Sequence, residues 1–283
     1  MTSNYNKTLS PEMVAALKKI KYLALDMDGT IYMENNLFPF TLKFLEDMHS
    51  AGIGYSFLTN NPTKSVSDYL AKLAKMGINA SEENMYTTSI AAIDYVKKHY
   101  PAAKRLFMLG TPSMAEQFIK AGFEACEDSP QDRPDVLVVA FDTTLTYSRL
   151  CRASWWASQN IPYIATNPDK VCPTDKETIL VDCGSLQKCI EYATGRKPDI
   201  VLGKPDPSML EGICQKHSLA IDEIAMVGDR HYTDLELAHN AKALGVLVLS
   251  GETTLEEAQK VVKPGDLIVR DIKELGELLL SVR

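Results

Sequence analysis

Short, unbroken runs of Val, Ile and Leu recur along this chain with amphipathic stretches between them, and that alternation leaves few architectures open. Tyr22–Leu25, Ile53–Leu58, Leu106–Leu109, Val136–Phe141, Ile161–Ala165, Ile200–Leu202, Ile224–Val227, Leu244–Leu249 and Leu267–Val269 read as strands. Each is apolar throughout, as strands covered on both faces are. Helices are expected at about 63–76, 113–121, 146–159, 185–194, 207–217, 233–241 and 254–262. Ser10-Pro11 sets a cap before a first-turn proline, and Thr253-Thr254-Leu255-Glu256-Glu257 offers a capping box. Strands alternating with helices predict an α/β fold, a parallel sheet with helices on both faces.

Composition narrows the function. A chain of 283 residues that is 45% hydrophobic and 24% charged is a folding one, of one large domain or two ordinary ones. Its net charge of −7 is a poor match to the phosphates of nucleic acid, so no nucleic-acid partner is expected. No apolar run nears the ~20 residues of a membrane helix, and the N-terminal stretch lacks a signal-peptide core. No membrane partner is expected, and the predicted location is cytoplasmic. The six cysteines form no CxxC pair, which argues against a zinc ribbon; Cys172 and Cys183 could be bridged, but reduced thiols fit a cytosolic chain better.

Four segments carry chemistry, each at the carboxyl end of an expected strand. In the first, Tyr22–Leu25 runs into Asp26-Met27-Asp28-Gly29-Thr30. Residues i and i+2 of an extended strand share a side, so Asp26 and Asp28 should converge where open α/β sheets bind ligands. Two close carboxylates need a cation, and oxygen ligands suit Mg²⁺. An EF-hand reading fails, because its sixth and twelfth positions are Ile31 and Leu37. Taken alone, the pair could also be turn-forming aspartates. The second segment, Thr59-Asn60-Asn61, offers a hydroxyl, amides and N–H groups for a phosphate, or is an ordinary capped loop. In the third, Gly203-Lys204 is no Walker A loop, since Pro198 stands where that motif needs glycine. Lys204 is either a surface charge or a cation set beside carboxylates and a phosphoryl group. The fourth, Gly228-Asp229-Arg230-His231-Tyr232-Thr233-Asp234, puts Asp229 at a strand end and Asp234 near a helix start. There Asp234 could support a metal or simply complement the helix dipole.

In this order the four segments resemble the motifs of the haloacid dehalogenase superfamily. Asn60-Asn61, Ala165-Thr166-Asn167-Pro168-Asp169, Ala193–Pro198 and Gly203-Lys204-Pro205 look like its NagD and 4-nitrophenylphosphatase branch. The resemblance implies a Rossmann-like doubly wound parallel sheet with a smaller inserted α/β cap. The catalytic core would be 1–83 and 198–283, and the cap 84–197. The 142 residues between Asn61 and Lys204 are too many for a loop and agree with an insertion.

The same resemblance implies a Mg²⁺-dependent phosphatase acting on a small phosphorylated metabolite, such as a sugar phosphate. Asp26 would be the nucleophile that forms an aspartyl phosphate, Asp28 the general acid and base, and Lys204, Thr59, Asn60 and Asn61 the holders of the phosphoryl group. Metal ligands would be Asp26, the Asp28 main-chain oxygen and Asp229, with Asp234 in support. Dehalogenases of the superfamily lack the second aspartate, so Asp28 favours phosphate chemistry. The alternatives are phosphoglycolate, nucleotide or pyridoxal-phosphate phosphatases, or a non-catalytic phosphometabolite sensor. The sensor would have no need of Asp28. A substrate-facing cap loop is expected near Asp169–Pro173, and a homodimer through the cap is possible in this branch.

Overall fold

The computed structural model describes residues 9–283 except 173, 175 and 176. The chain divides into two compact units. One contains the chain up to Leu58, Leu70–Tyr86 and Lys204–Arg283; the other contains Thr59–Tyr69 and Thr87–Gly203.

The first unit is built on a six-stranded sheet in the order Leu267–Val269, Leu244–Val248, Ile224–Gly228, Tyr22–Asp26, Gly54–Thr59, Met85–Thr87. Parallel ladders join Tyr22–Asp26 to both of its neighbours, with Leu25 opposite Val227 on one side and Phe57 on the other. All five residues of Tyr22–Asp26 are buried, which is why its sequence is apolar until the final aspartate. From this strand the sheet order runs outward to Gly54–Thr59 on one side, and to Ile224–Gly228 on the other. The strand order therefore reverses between Tyr22–Asp26 and Ile224–Gly228. That reversal opens a crevice at the strands' carboxyl ends, where Asp26 and Asp229 lie. Thr41–Ser50 buries Thr41, Phe44, Leu45 and Met48, and Ile272–Ser281 packs against it with Gly276 facing Phe44.

The second unit has a five-stranded parallel sheet in the order Ile200–Val201, Tyr163–Ala165, Val136–Val139, Arg105–Leu109, Glu124–Ala125. Its side chains alternate strictly between two cores. Leu106, Met108, Val136, Val138 and Ile164 pack with Ala92, Ile93 and Val96 of Thr88–His99, and with Met114 and Phe118 of Pro112–Lys120. Phe107, Leu109, Leu137, Val139, Tyr163 and Ala165 pack with Trp156 of Tyr147–Ser158, and with Leu186 and Ile190 of Cys183–Thr194. Period-2 alternation into two apolar layers is what turns each strand into a continuous apolar run. A two-stranded antiparallel ribbon, Val171–Cys172 with Leu180–Val181, belongs to the same unit.

The sheets of both units are the expected parallel α/β layers. Helices Thr41–Ser50, Thr88–His99 and Ile272–Ser281, the strand Met85–Thr87 and the hairpin Tyr32–Met33/Asn36–Leu37 are additions to the sequence reading. Expected helix 63–76 starts later, at Val66. Residues 63–65 are held instead in a side-chain-bonded turn, with Thr63 N–H on Asn61 Oδ1 and Ser65 N–H on Asp68 Oδ2. Among the described residues no disulfide is formed, and no helix is long and apolar enough to cross a membrane.

Candidate active site

Four of the predicted site residues meet in the first unit. Asp26 closes its strand, and its Oδ1 pairs with Lys204 Nζ. The same ammonium lies 2.6 Å from Asp234 Oδ1, a second ion pair. Asp229 follows Gly228 directly, and Asp234 sits in a single π-helical turn, His231–Leu235. Such a turn adds a residue to the helix start and redirects a side chain, a device common at functional sites. Gly228 is required here, since a Cβ at that position would overlap the Asp234 side chain. Arg230 N–H donates to Asp234 Oδ2 at 3.0 Å.

One carboxylate oxygen from each of Asp26, Asp229 and Asp234 lies within 4.8 Å of the others, and all three residues are buried. Asp229 Oδ2 accepts from Glu252 N–H at 2.7 Å, while Oδ1 is buried without a hydrogen-bond partner. Lys204 thus pairs with two of three clustered, buried carboxylates. Burial pushes the Asp26 carboxyl up to about 7, against the pull of Lys204 and with Asp234 and Asp229 adding to the rise. Burial, then Asp234, pushes Asp229 up to about 6. Burial works to lower Lys204, but Asp234 and Asp26 outweigh it and hold the ammonium above the ordinary lysine range. Crowded carboxylates, hard oxygen donors and an orphaned Oδ1 together fit a small divalent cation such as Mg²⁺.

Asp28 stands apart from this cluster. It is exposed, and its Oδ1 accepts from Glu34 N–H at the long distance of 3.4 Å. The strand ends at Asp26 and the chain bends at Met27, so the two-residue alternation that would pair the acids does not reach Asp28; the turn at Gly29 (φ +85°) follows. It carries the chain over Asp229, where any Cβ at position 29 would overlap the carboxylate.

Thr59, Asn60 and Asn61 fall in the second unit and are bonded there. Asn61 N–H donates to Thr59 Oγ1 at 3.1 Å, Asn60 Nδ2 to Asp169 Oδ2 at 3.0 Å, and Asn61 Nδ2 to Cys172 Sγ at 3.7 Å. Asp169 also accepts from Asn167 Nδ2 at 3.2 Å. The expected cap loop thus has its Asp169 and Cys172 engaged with the Asn60-Asn61 pair, while Lys170 and Val171 are exposed; Pro173 lies outside the described residues. Sequence reasoning did not find the Asp169 partnership, nor the roles of Arg230, Gly251 and Glu252 described below. The only hint was the acid and amide side chains grouped in Asn167-Pro168-Asp169.

Known proteins resemble this chain over nearly its whole length. A haloacid dehalogenase-like hydrolase family model matches residues 23–124, and a second, HAD-hydrolase-like one matches 201–275. The crystal structure of a 4-nitrophenylphosphatase from Thermotoga maritima is 37% identical at a TM-score of 0.86, covering 93% of this chain and 98% of that one. The chain belongs to the haloacid dehalogenase-like hydrolases. Within that family it lies in the NagD and 4-nitrophenylphosphatase branch, and it is a phosphoric monoester hydrolase. An acid sugar phosphatase of Staphylococcus aureus (strain NCTC 8325 / PS 47) is 29% identical over 258 residues, 91% of this chain and 97% of that protein. A glycerol phosphate phosphatase from Mycobacterium tuberculosis, solved in complex with magnesium, is 25% identical at a TM-score of 0.83, covering 93% of this chain and 78% of that one.

Proposed function

We propose that this hydrolase uses Mg²⁺ to cleave a small phosphate monoester, of a sugar or a related metabolite, through a phosphorylated Asp26. One observation carries the reading: a buried carboxylate, Asp26, paired with Lys204 and crowded by Asp229 and Asp234. A surface aspartate would be hydrated and weakly directed. This one is desolvated, oriented by an ammonium and set where negative charge already demands a cation.

In the first step an Asp26 oxygen bonds to phosphorus as the bond to the leaving oxygen breaks, and Asp28 supplies that oxygen with a proton. In the second, Asp28 takes a proton from the water that attacks the aspartyl phosphate, which frees phosphate and restores Asp26. A carboxylate nucleophile divides one slow displacement into two faster ones. The exposure of Asp28 suits a group that must reach both a leaving alkoxide and water. Lys204 stays protonated throughout and sets its charge against the phosphoryl oxygens. Thr59, Asn60 and Asn61 are assigned to phosphoryl oxygens as well. A divalent cation held by Asp26, the Asp28 main-chain oxygen and Asp229, with Asp234 in support, would neutralise phosphoryl charge. Residues 84–197 are assigned to selection of the leaving group.

The names of the relatives support the substrate class: an acid sugar phosphatase, a 4-nitrophenylphosphatase and a glycerol phosphate phosphatase. Hydrolysis of 4-nitrophenyl phosphate, measured with Mg²⁺ and with EDTA, tests the chemistry. Ranking roughly 100 phosphometabolites by kcat/KM tests the substrate. Activity undiminished by EDTA would overturn the metal assignment, and top-ranked compounds that are not sugar or polyol phosphates would overturn the substrate class.

A further inference from the structure

We propose that the loop Ser250–Thr253 clamps Asp229 so that a single carboxylate oxygen is offered to the cation, which makes the site favour Mg²⁺ over Ca²⁺. The inference rests on the reading of Asp229 as a metal ligand. Asp229 lies between two glycines on different segments. A Cβ on Gly29 or on Gly251 would overlap its carboxylate, and one on Gly251 would also come 2.6 Å from its Cβ. Gly251 has no positive φ, so close approach rather than backbone geometry is what excludes a side chain there.

The loop holds the residue at several points. Glu252 N–H donates to Asp229 Oδ2 at 2.7 Å, and Thr253 N–H to the Asp229 carbonyl at 3.2 Å. Ser250 Oγ donates to the Gly29 carbonyl at 2.7 Å, which ties the loop to the other glycine turn that crowds Asp229. Outside the clamp, the Glu252 carboxylate joins Arg230 Nε at 2.9 Å and Tyr232 Oη at 2.8 Å. The segment Asp229–Tyr232 is therefore fastened to the loop at three residues. What is left is Oδ1, buried and unpartnered.

This asymmetry bears on ion choice. Bidentate ligation needs both oxygens of a carboxylate at one ion, and Oδ2 both accepts the Glu252 N–H and is crowded by Gly29 and Gly251, which leaves Oδ1 as the open oxygen. Asp229 then ligates through Oδ1 alone. A one-oxygen carboxylate suits the compact octahedral shell of Mg²⁺, whereas Ca²⁺ gains from flexible carboxylates able to supply a seventh or eighth oxygen.

Titration of the EDTA-stripped full-length protein with Mg²⁺ and, separately, Ca²⁺ by calorimetry tests this. Gly251→Ala should weaken Mg²⁺ binding about 10–100-fold, as loss of a ligand's orienting partner does, and should weaken Ca²⁺ binding less, so the Mg²⁺/Ca²⁺ preference falls. Ser250→Ala cuts the tie to Gly29 at a half-buried side chain and should move the preference the same way by a smaller factor; it carries the test if Gly251→Ala does not fold. Thr254→Ala uncaps the neighbouring helix Leu255–Val261 and should lower thermal stability while leaving the ion preference in place. A folded Gly251→Ala or Ser250→Ala protein with wild-type affinities for both ions overturns the clamp. Wild-type Mg²⁺ affinity in Asp229→Asn instead overturns the ligand assignment beneath it, so the two failures are told apart.

Discussion

Asp26 and Asp28 are two residues apart in sequence, yet one is buried and the other exposed. Asp26 is buried against Lys204; Asp28 is exposed with one long hydrogen bond. Their proposed roles predict different losses. Asp26→Asn removes the nucleophile at nearly constant volume, so turnover should fall by a factor on the order of 10³ or more while circular dichroism stays native. Normal turnover by the folded variant would refute the assignment. Asp28→Asn should cost about 10²–10⁴-fold with an alkyl phosphate, the usual worth of a general acid. It should cost less with 4-nitrophenyl phosphate, whose leaving phenolate needs little protonation. Equal losses on the two substrates would show that Asp28 does not protonate the leaving group. At this scale the sequence exposes residue types better than environments. An apolar run ending in Asp-x-Asp-Gly marks both acids, but the strand stops at Asp26 and bends at Met27, which separates them, and no residue type there announces that stop.

Elements are legible where one residue type dominates and obscure where burial is partial. The continuous apolar strands stand out because both of their faces are covered. Thr88–His99 is harder to see, because the positions it buries include Thr88, Ser89, Ala91 and Ala92, side chains too small or too polar to mark an apolar stripe. Thr41–Ser50 does carry the helical spacing at Thr41, Phe44, Leu45 and Met48, but its stripe opens on a threonine and the exposed Leu42 lies off it. The π-helical turn at His231–Leu235 leaves no periodic trace at all. The fully buried central strand makes an energetic prediction. Leu23 has no exposed surface, so Leu23→Ala should remove about 2–5 kcal/mol through lost transfer energy and a residual cavity. Urea unfolding followed by circular dichroism measures it, and a shift below about 1 kcal/mol would mean that the sheet can collapse into the space.

At the scale of the whole molecule, a net charge of −7 is carried partly by carboxylates that the fold has buried together. Without a cation, Asp26 and Asp229 titrate at about 7 and about 6, against an ordinary value of 3.8. Between pH 4 and 7 the folded chain then binds more protons at these groups than the unfolded chain does. Stability therefore falls as pH rises through that window. The contribution is fully favourable below the unfolded value and is lost above the folded ones. A divalent cation reverses the balance, since it requires both groups ionised and must displace protons wherever they are still bound. Mg²⁺ should accordingly raise the melting temperature more at pH 8 than at pH 5.5, and binding near pH 6 should release protons. Comparing Mg²⁺ with EDTA at each pH cancels the titration of every group away from the site. Calorimetry in two buffers of different ionisation enthalpy counts the protons released. Equal Mg²⁺-induced shifts at the two pH values, with no proton release at pH 6, would mean that these carboxylates do not hold the ion. The same shift should shrink in Asp229→Asn, which removes one of the two raised carboxyls and, on the present reading, one of the ligands.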